Sequence, residues 1–190
     1  MPKKILILSG SPVKNGNTAK LVKWFVEGAR VKSAQIEVVQ TAFLKYKSTG
    51  CISCRACQKL AKYECVINDE AKPVLAKMAK VDVIVMATPL YFYGASAQLK
   101  LVMDRMFSLY KWDNKAETMT TPLEGKTFVL LASAFEDIGL DTLEKSFVIT
   151  ADYSGMKFES LLVANAGEPG EIVKVKGARQ KAIALGKKVG

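Results

Sequence analysis

Ile5-Leu6-Ile7-Leu8-Ser9-Gly10-Ser11-Pro12-Val13-Lys14-Asn15-Gly16-Asn17-Thr18 is the stretch that decides the fold. Four consecutive apolar residues, rather than an alternating set, fit a strand buried on both faces. A loop of glycines, hydroxyls and amides follows. Beyond it Val22, Phe25, Val26 and Ala29 recur at i, i+3, i+4 and i+7, the stripe of an amphipathic helix, with Asn17-Thr18 placed to cap its start. Strand, polar loop and helix in that order open a βαβ unit.

The pattern repeats downstream. Apolar runs at Val83-Ile84-Val85-Met86, Phe128-Val129-Leu130-Leu131 and Leu161-Leu162-Val163 read as further buried strands, and Ile36-Glu37-Val38-Val39 as a weaker one. Leu99, Val102, Met103 and Met106 form a helical stripe after Gly94. Asp141-Thr142-Leu143-Glu144 reads as a helix start with its acidic partner three residues on, closed by Gly155. Val175, Ala178, Ala182 and Leu185 suggest a last helix, interrupted by Gly177 and Gly186. Strands alternating with helices imply parallel pairing and right-handed crossovers. The expectation is an α/β, doubly wound, five-stranded parallel sheet of order 2-1-3-4-5 in three layers. It forms one domain over residues 1–190, with a cysteine-containing insertion at about 41–72.

Composition narrows the function classes. Apolar residues at 49% and charged residues at 24% are ordinary globular usage, against disorder as the theme. The net charge of +10 favours anionic partners, but the lysines are scattered and form no stripe, so nucleic-acid binding is not expected. The apolar run near the start is too short for a signal peptide, and no stretch approaches the length of a membrane span. A cytoplasmic protein with no membrane partner is expected. Histidine is absent, which removes imidazole acid-base chemistry and His-ligated metals.

The loop after the first strand suits a phosphate monoester. It is rich in hydroxyl and amide groups and is backed by a helix N-terminus, where free N–H groups and the dipole favour an anion. It carries neither the triphosphate-binding G-x-x-x-x-G-K-[ST] nor the dinucleotide fingerprint G-x-G-x-x-G. The third strand runs into Ala87-Thr88-Pro89-Leu90-Tyr91-Phe92-Tyr93-Gly94, where three adjacent aromatics point to a planar ligand or a partner. In a sheet of order 2-1-3-4-5 these two loops meet over the crevice at the topological switch point.

On Gly10-Ser11-Pro12 with Asn17-Thr18-Ala19, and on Thr88 to Gly94 with Gln98-Leu99-Lys100 and Asp104-Arg105, the chain resembles the flavodoxin-like NAD(P)H-dependent FMN reductases over nearly its whole length. The resemblance implies that Ser9, Ser11, Asn17, Thr18 and Ala19 hold the FMN phosphate. It implies that Pro89, Leu90, Tyr91, Phe92, Tyr93 and Gly94 run along the isoalloxazine. Ser133-Ala134-Phe135-Glu136-Asp137 would supply a third wall, with Ser133 at the cofactor. Hydride transfer belongs to the flavin and requires no side-chain acid or base, so no catalytic residue is assigned. A homodimer or homotetramer is implied as well, with Tyr91, Phe92, Tyr110 and Trp112 as interface candidates.

Cys51, Cys54, Cys57 and Cys65 are spaced C-x2-C-x2-C-x7-C. Three thiolates at two-residue intervals wrap a metal centre, and a fourth completes the all-cysteine ligation of a cubane cluster. The pattern resembles that of the iron-sulfur flavoproteins, a branch of the same group. It implies a 4Fe-4S cluster near the FMN, reduced by a ferredoxin-type donor for which Lys45, Lys47, Arg55, Lys59 and Lys62 suit an acidic surface. Free thiols, a structural zinc site and a labile disulfide stay open beside it.

Two functions follow. One is an FMN-dependent oxidoreductase passing electrons from NAD(P)H or a reduced carrier to a small acceptor such as a quinone, a nitro or azo compound, free flavin or oxygen. The alternative is an iron-sulfur flavoprotein, an electron-transfer protein holding FMN and a 4Fe-4S cluster. A flavodoxin-type carrier fits the strongly basic charge less well.

Overall fold

The computed structural model describes residues 2–113 and 115–190. Met1 and Asn114, both inside the 1–190 span, lie outside the described residues. In chain order the elements are β1 (Lys4–Ser9), α1 (Asn17–Arg30), β2 (Gln35–Gln40), α2 (Ala71–Met78), β3 (Val83–Tyr91), β4 (Gly94–Ala95) and α3 (Ala97–Met103). There follow β5 (Lys111–Asp113), β6 (Thr118–Thr120), β7 (Thr127–Ser133), α4 (Leu140–Tyr153), β8 (Lys157–Val163) and α5 (Ala178–Val189). Short 3₁₀ turns lie at Thr41–Phe43, Ala56–Lys59, Asp104–Leu109 and Glu171–Lys174.

The main sheet has the order β2-β1-β3-β7-β8, all parallel. With the short hairpin strands set aside this is the expected flavodoxin-like 2-1-3-4-5. Two features went beyond the sequence reading: β4 folds back on β3, and β5 and β6 form a separate antiparallel ribbon.

The continuous apolar runs are explained by a core on each face of the sheet. Leu6, Leu8, Ile84, Met86, Phe128 and Leu130 face α2, α3 and α4, where Leu75, Met78, Val102, Leu143 and Phe147 meet them. Their neighbours Ile5, Ile7, Val83, Val85, Val129 and Leu131 face α1 and α5, with Leu21, Phe25, Ala182 and Leu185. Burying one such side chain contributes about 1.5–3 kcal/mol. The three central strands, with residues 5–8 of β1, 83–87 of β3 and 128–132 of β7 all sealed from solvent, anchor the sheet. β2 is an edge strand and largely exposed, which is why its apolar signal was weak.

Helix ends differ from the sequence reading in three places. Asn17-Thr18 lies inside α1, whose cap position is Gly16 with no side-chain cap bond. α4 begins at Leu140 after Gly139, so Asp141 is not its cap, and the Glu144 carboxylate accepts from Ser160 Oγ instead. α5 begins at Ala178, leaving Val175 outside. Gly155, in the left-handed region just past α4, does end that helix.

Gly186 is no interruption. A Cβ there would lie 2.1 Å from the Phe25 carbonyl oxygen, and one on Gly28 would lie 2.1 Å from that of Ile183. α1 and α5 therefore cross backbone against backbone, a contact that only paired glycines permit.

Candidate functional site

The two loops expected to meet are fastened together by hydrogen bonds before any ligand is considered. Gly10 N–H donates to the Ala87 carbonyl at 2.8 Å, holding the start of the first loop against β3. Ser96, the cap of α3, accepts from Leu99 N–H, donates its hydroxyl to the Gly10 carbonyl at 2.7 Å, and donates its N–H to Thr88 Oγ1 at 2.9 Å.

Between them lies a crevice of about 280 Å³ at the carboxyl ends of the central strands. Ser11, Val13, Gly16, Asn17 and Thr18 form one side and Pro89, Leu90 and Tyr91 a second. Ser133, Ala134 and Phe135 form the third wall, and Ala166, Gly167 and Pro169 a fourth. Thr18 Oγ1 and Ser133 Oγ meet at 3.3 Å across it, and Ser11 Oγ accepts from Val13 N–H at 3.2 Å. No charged side chain lines the crevice among the described residues. Its attraction for an anion comes instead from hydroxyls and from the first N–H groups of α1, at residues 17–19, which lack intrahelical acceptors.

Asn17 was expected to contact the phosphate, and its side chain is fully committed elsewhere. Nδ2 donates to the carbonyls of Ala166 (2.7 Å) and Glu168 (2.9 Å), and Oδ1 accepts from the N–H groups of Gly170 (2.9 Å) and Ile172 (3.1 Å). A carboxamide has two donors and two acceptor lone pairs, so nothing is left for a ligand except the backbone N–H of Asn17. Its task is to hold the fourth wall. That wall was not anticipated. The Gly167-Glu168-Pro169-Gly170 turn signal was visible in the sequence, but it follows an edge strand, and only the long reach of Asn17 carries it to the switch point.

The ring-side loop is a β-hairpin. β3 continues through Pro89 to Tyr91, Tyr91 pairs with Gly94, and Phe92 and Tyr93 form the two-residue turn with φ of 44° and 64°. Positive φ at both centres is what a type I′ turn requires, and two bulky aromatics hold it where Asn-Gly would be relaxed. Strain of this kind collects at binding sites. Phe92 is wholly exposed. With Leu90, Tyr93, Phe135, Glu136 and Ile138 it lines a second cleft, of about 330 Å³, which joins the first through Leu90 and Phe135. Phe135 is laid against Gly167, where a Cβ would fall 2.1 Å from its ring.

Of the twelve residues expected at the cofactor, Ser11, Asn17, Thr18, Pro89, Leu90, Tyr91 and Ser133 line the crevice, and Phe92 and Tyr93 line the adjoining cleft. Ser9 is sealed beneath the loop, its hydroxyl without a partner. Ala19 and Gly94 line neither space. Among the interface candidates, Tyr91, Phe92 and Trp112 are exposed. Tyr110 is a core residue instead, its hydroxyl bonded to Ser154 Oγ at 2.6 Å.

The four cysteines converge on one small cavity, which also has Arg55, Arg105, Phe107 and Ser108 in its wall. Cys51 and Cys54 are exposed, Cys57 and Cys65 are buried, and all four are free thiols. Ser53 and Arg55, on either side of Cys54, both stand at φ 54°. This is a second place where non-glycine residues hold left-handed backbone. Burial pushes the Cys57 thiol up, against the opposing pull of Gln58 and Lys111. Among the described residues no three Cys, Asp or Glu side chains lie close enough to share a single metal ion, which counts against the zinc reading.

A sealed ion pair fastens this segment to the body. Arg105 Nη1 donates to both Asp69 oxygens at 2.9 and 2.8 Å, and Nη2 to the Ile67 carbonyl at 3.1 Å. Asp69 also accepts from Lys47 and Ala71 N–H. Burial alone would push the Asp69 carboxyl up, but these donors and the guanidinium charge hold it below the ordinary value. Nearby Tyr46, which donates to the Thr41 carbonyl at 2.6 Å, is raised by burial and then by Asp69 to about 12.

The signs give a two-sided pH response. Stability from Asp69 is present above its unfolded pKa of about 3.9 and is lost as pH falls through the lower folded value. Stability from Tyr46 is complete below about pH 10 and is lost as pH climbs through about 12. The cysteine segment is therefore expected to loosen at both extremes and to hold between them. Near-ultraviolet circular dichroism would follow it through Trp112, stacked on Phe107 at 4.9 Å beside the segment. A transition near neutral pH would contradict the assignment.

Among the described residues no helix is long and apolar enough to cross a membrane. An iron-sulfur flavoprotein of Methanocaldococcus jannaschii is 36% identical over 102 residues, which cover 54% of this chain and 51% of that protein. The chain spans about half the length of the curated relatives it matches. An FMN-dependent NADH-azoreductase from Bacillus anthracis, solved in complex with FMN, superposes with a TM-score of 0.74 at 13% identity, covering 97% of this chain and 98% of that one. An NAD(P)H:quinone oxidoreductase from Methanothermobacter marburgensis gives 0.73 at 14%, covering 99% and 97%. At such identities the two structures speak for the fold alone. The family description "NADPH-dependent FMN reductase" matches residues 3–162, most of the sheet and both loops of the crevice, and the chain belongs to that family.

Proposed function

We propose that this chain is an FMN-dependent oxidoreductase with a second redox centre, a 4Fe-4S cluster on Cys51, Cys54, Cys57 and Cys65. The observation that carries the second centre is the convergence of all four thiols on one cavity. A cubane spreads its cysteines over four corners, so ligands too far apart for one ion still suit it. The names of the relatives favour the same reading.

The crevice fits FMN on its own chemistry. Ser11, Thr18 and Ser133 hydroxyls and the N–H groups of residues 17–19 would hold the phosphate, a site with dipoles but no cation. Pro89 to Tyr91 and Phe135 would flank the ring, with Phe92 and Tyr93 over the adjoining cleft. When bound, FMN supplies hydride and single-electron chemistry, and the cluster supplies one-electron transfer. The chain orients the flavin, excludes water from the phosphate end and leaves the aromatic cleft open to a flat acceptor such as a quinone or a nitro or azo compound. Electrons would come from NAD(P)H or a ferredoxin-type donor. Assembly into a homodimer or homotetramer through Tyr91, Phe92 and Trp112 belongs to this proposal.

Protein purified without oxygen tests it, with the absorption spectrum, flavin, iron and sulfide measured on one sample. Flavin bands over a broad iron-sulfur background are expected. Flavin without iron after anoxic reconstitution would leave an FMN reductase with free thiols. A Ser11→Ala plus Thr18→Ala variant should weaken FMN binding at least tenfold, and an unchanged affinity would sink the phosphate assignment.

A further inference from the structure

Arg105 is 1% exposed, yet its Nε–H has no hydrogen-bond partner. The other end of its guanidinium is occupied, Nη1 by Asp69 and Nη2 by the Ile67 carbonyl. A buried unpartnered donor is costly and calls for an explanation. This one belongs to a residue in the wall of the cysteine cavity, and the carboxylate already present is engaged by Nη1. The cavity's remaining acceptors include the four cysteine sulfurs, beside the Ser108 hydroxyl and backbone carbonyls. Of these, Cys65 is a buried neighbour that interacts with the guanidinium.

Resting on the cluster reading above, we infer that Arg105 is a positioning residue for the cysteine centre, its Nε–H the hydrogen-bond donor to the Cys65 sulfur of a bound cluster. Reduction adds one electron and one negative charge, spread partly onto the thiolate sulfurs. A fixed N–H aimed at one of them stabilises the reduced form more than the oxidised form, and so raises the potential. The Asp69 pair keeps the guanidinium in place and leaves Nε free for this task.

Arg105→Lys isolates that donor, since it keeps a cation for Asp69 but has no Nε–H. Asp69→Asn keeps an acceptor oxygen for Nη1 and keeps Nε–H in place, and removes a nearby negative charge. Wild type and both variants would be reconstituted with iron and sulfide without oxygen, then titrated with reducing dyes while the reduced cluster is followed by electron paramagnetic resonance. Arg105→Lys is expected to disfavour cluster reduction at least tenfold, about 59 mV for one electron. Asp69→Asn should shift it the opposite way, and the flavin potential should stay put in both. An unchanged cluster potential in Arg105→Lys, or shifts of the same sign in the two variants, overturns the inference and leaves a purely structural clamp. Wild type that takes up no iron or sulfide overturns the cluster reading and this inference with it. Should Arg105→Lys fail to fold, wild type grown with ¹⁵Nε-arginine decides the matter. A nitrogen coupling to the reduced cluster that persists in Arg55→Lys supports the donor, and its absence refutes it.

Discussion

Asn17→Ala is expected to destabilise the protein by roughly 2–5 kcal/mol and to weaken FMN binding. One side chain closes four hydrogen bonds to a segment about 150 residues away in sequence. Their loss is unequal. The Glu168 carbonyl and Gly170 N–H sit at a partly exposed turn and can turn to water, whereas the Ala166 and Ile172 groups are buried. A buried group left unpaired costs about 1–3 kcal/mol, and two of them set the magnitude. In a chain of this size that corresponds to a fall in Tm of about 4–20 °C. The binding defect follows by a separate route, because the wall at residues 166–169 and the Phe135 ring laid on Gly167 lose their tether. Thermal unfolding with and without FMN reads both effects. A fall of less than about 2 °C would mean that the 166–172 segment holds itself, and that Asn17 is available to the ligand after all.

The same residue shows what the sequence could and could not disclose. Local signals were legible. Doubly buried strands, a hydroxyl-rich loop ahead of a helix and an aromatic run at a strand end follow from periodicity and turn chemistry, and they place two loops over one crevice. The type of side chain at position 17 was legible too, and its job was not. A carboxamide at a helix start serves equally as a cap, a phosphate ligand or a brace, and only the path of a distant turn selects the brace. Tyr110 was misjudged for a related reason. An aromatic beside Trp112 reads as surface, but Ser154, on another element, supplies its hydroxyl with a partner and takes it into the core. The Phe92-Tyr93 turn carries no Gly or Asn, so its hairpin was invisible to turn rules. The Arg105–Asp69 pair joins the 3₁₀ turn after α3 to the cysteine segment, and no local pattern announces it.

Cys54→Ser should strip the protein of iron and sulfide while FMN content stays as it was. Position 54 is the strictest test among the four, because both of its neighbours are held at positive φ, a backbone that costs energy wherever Cys54 has no role. Serine keeps the side chain's shape and its exposure but offers a hydroxyl that does not ionise near neutrality. Three thiolates then remain where a cubane takes four. The crevice and the cysteine cavity share no wall residue. Changes at sites with no shared partners act independently. The broad visible absorption should vanish and the flavin bands should persist at equal intensity. Reduction by a one-electron donor should slow much more than reduction by NAD(P)H, which in the proposed function delivers its electrons to the flavin. If the iron content is instead the same as in wild type, the metal is adventitious and the cysteines are free thiols. If FMN is lost together with iron, the two sites are coupled despite having no wall residue in common. Only loss of iron with retention of FMN fits the two proposed centres, one held by the strand ends and the other by the cysteine segment clamped to the turn after α3.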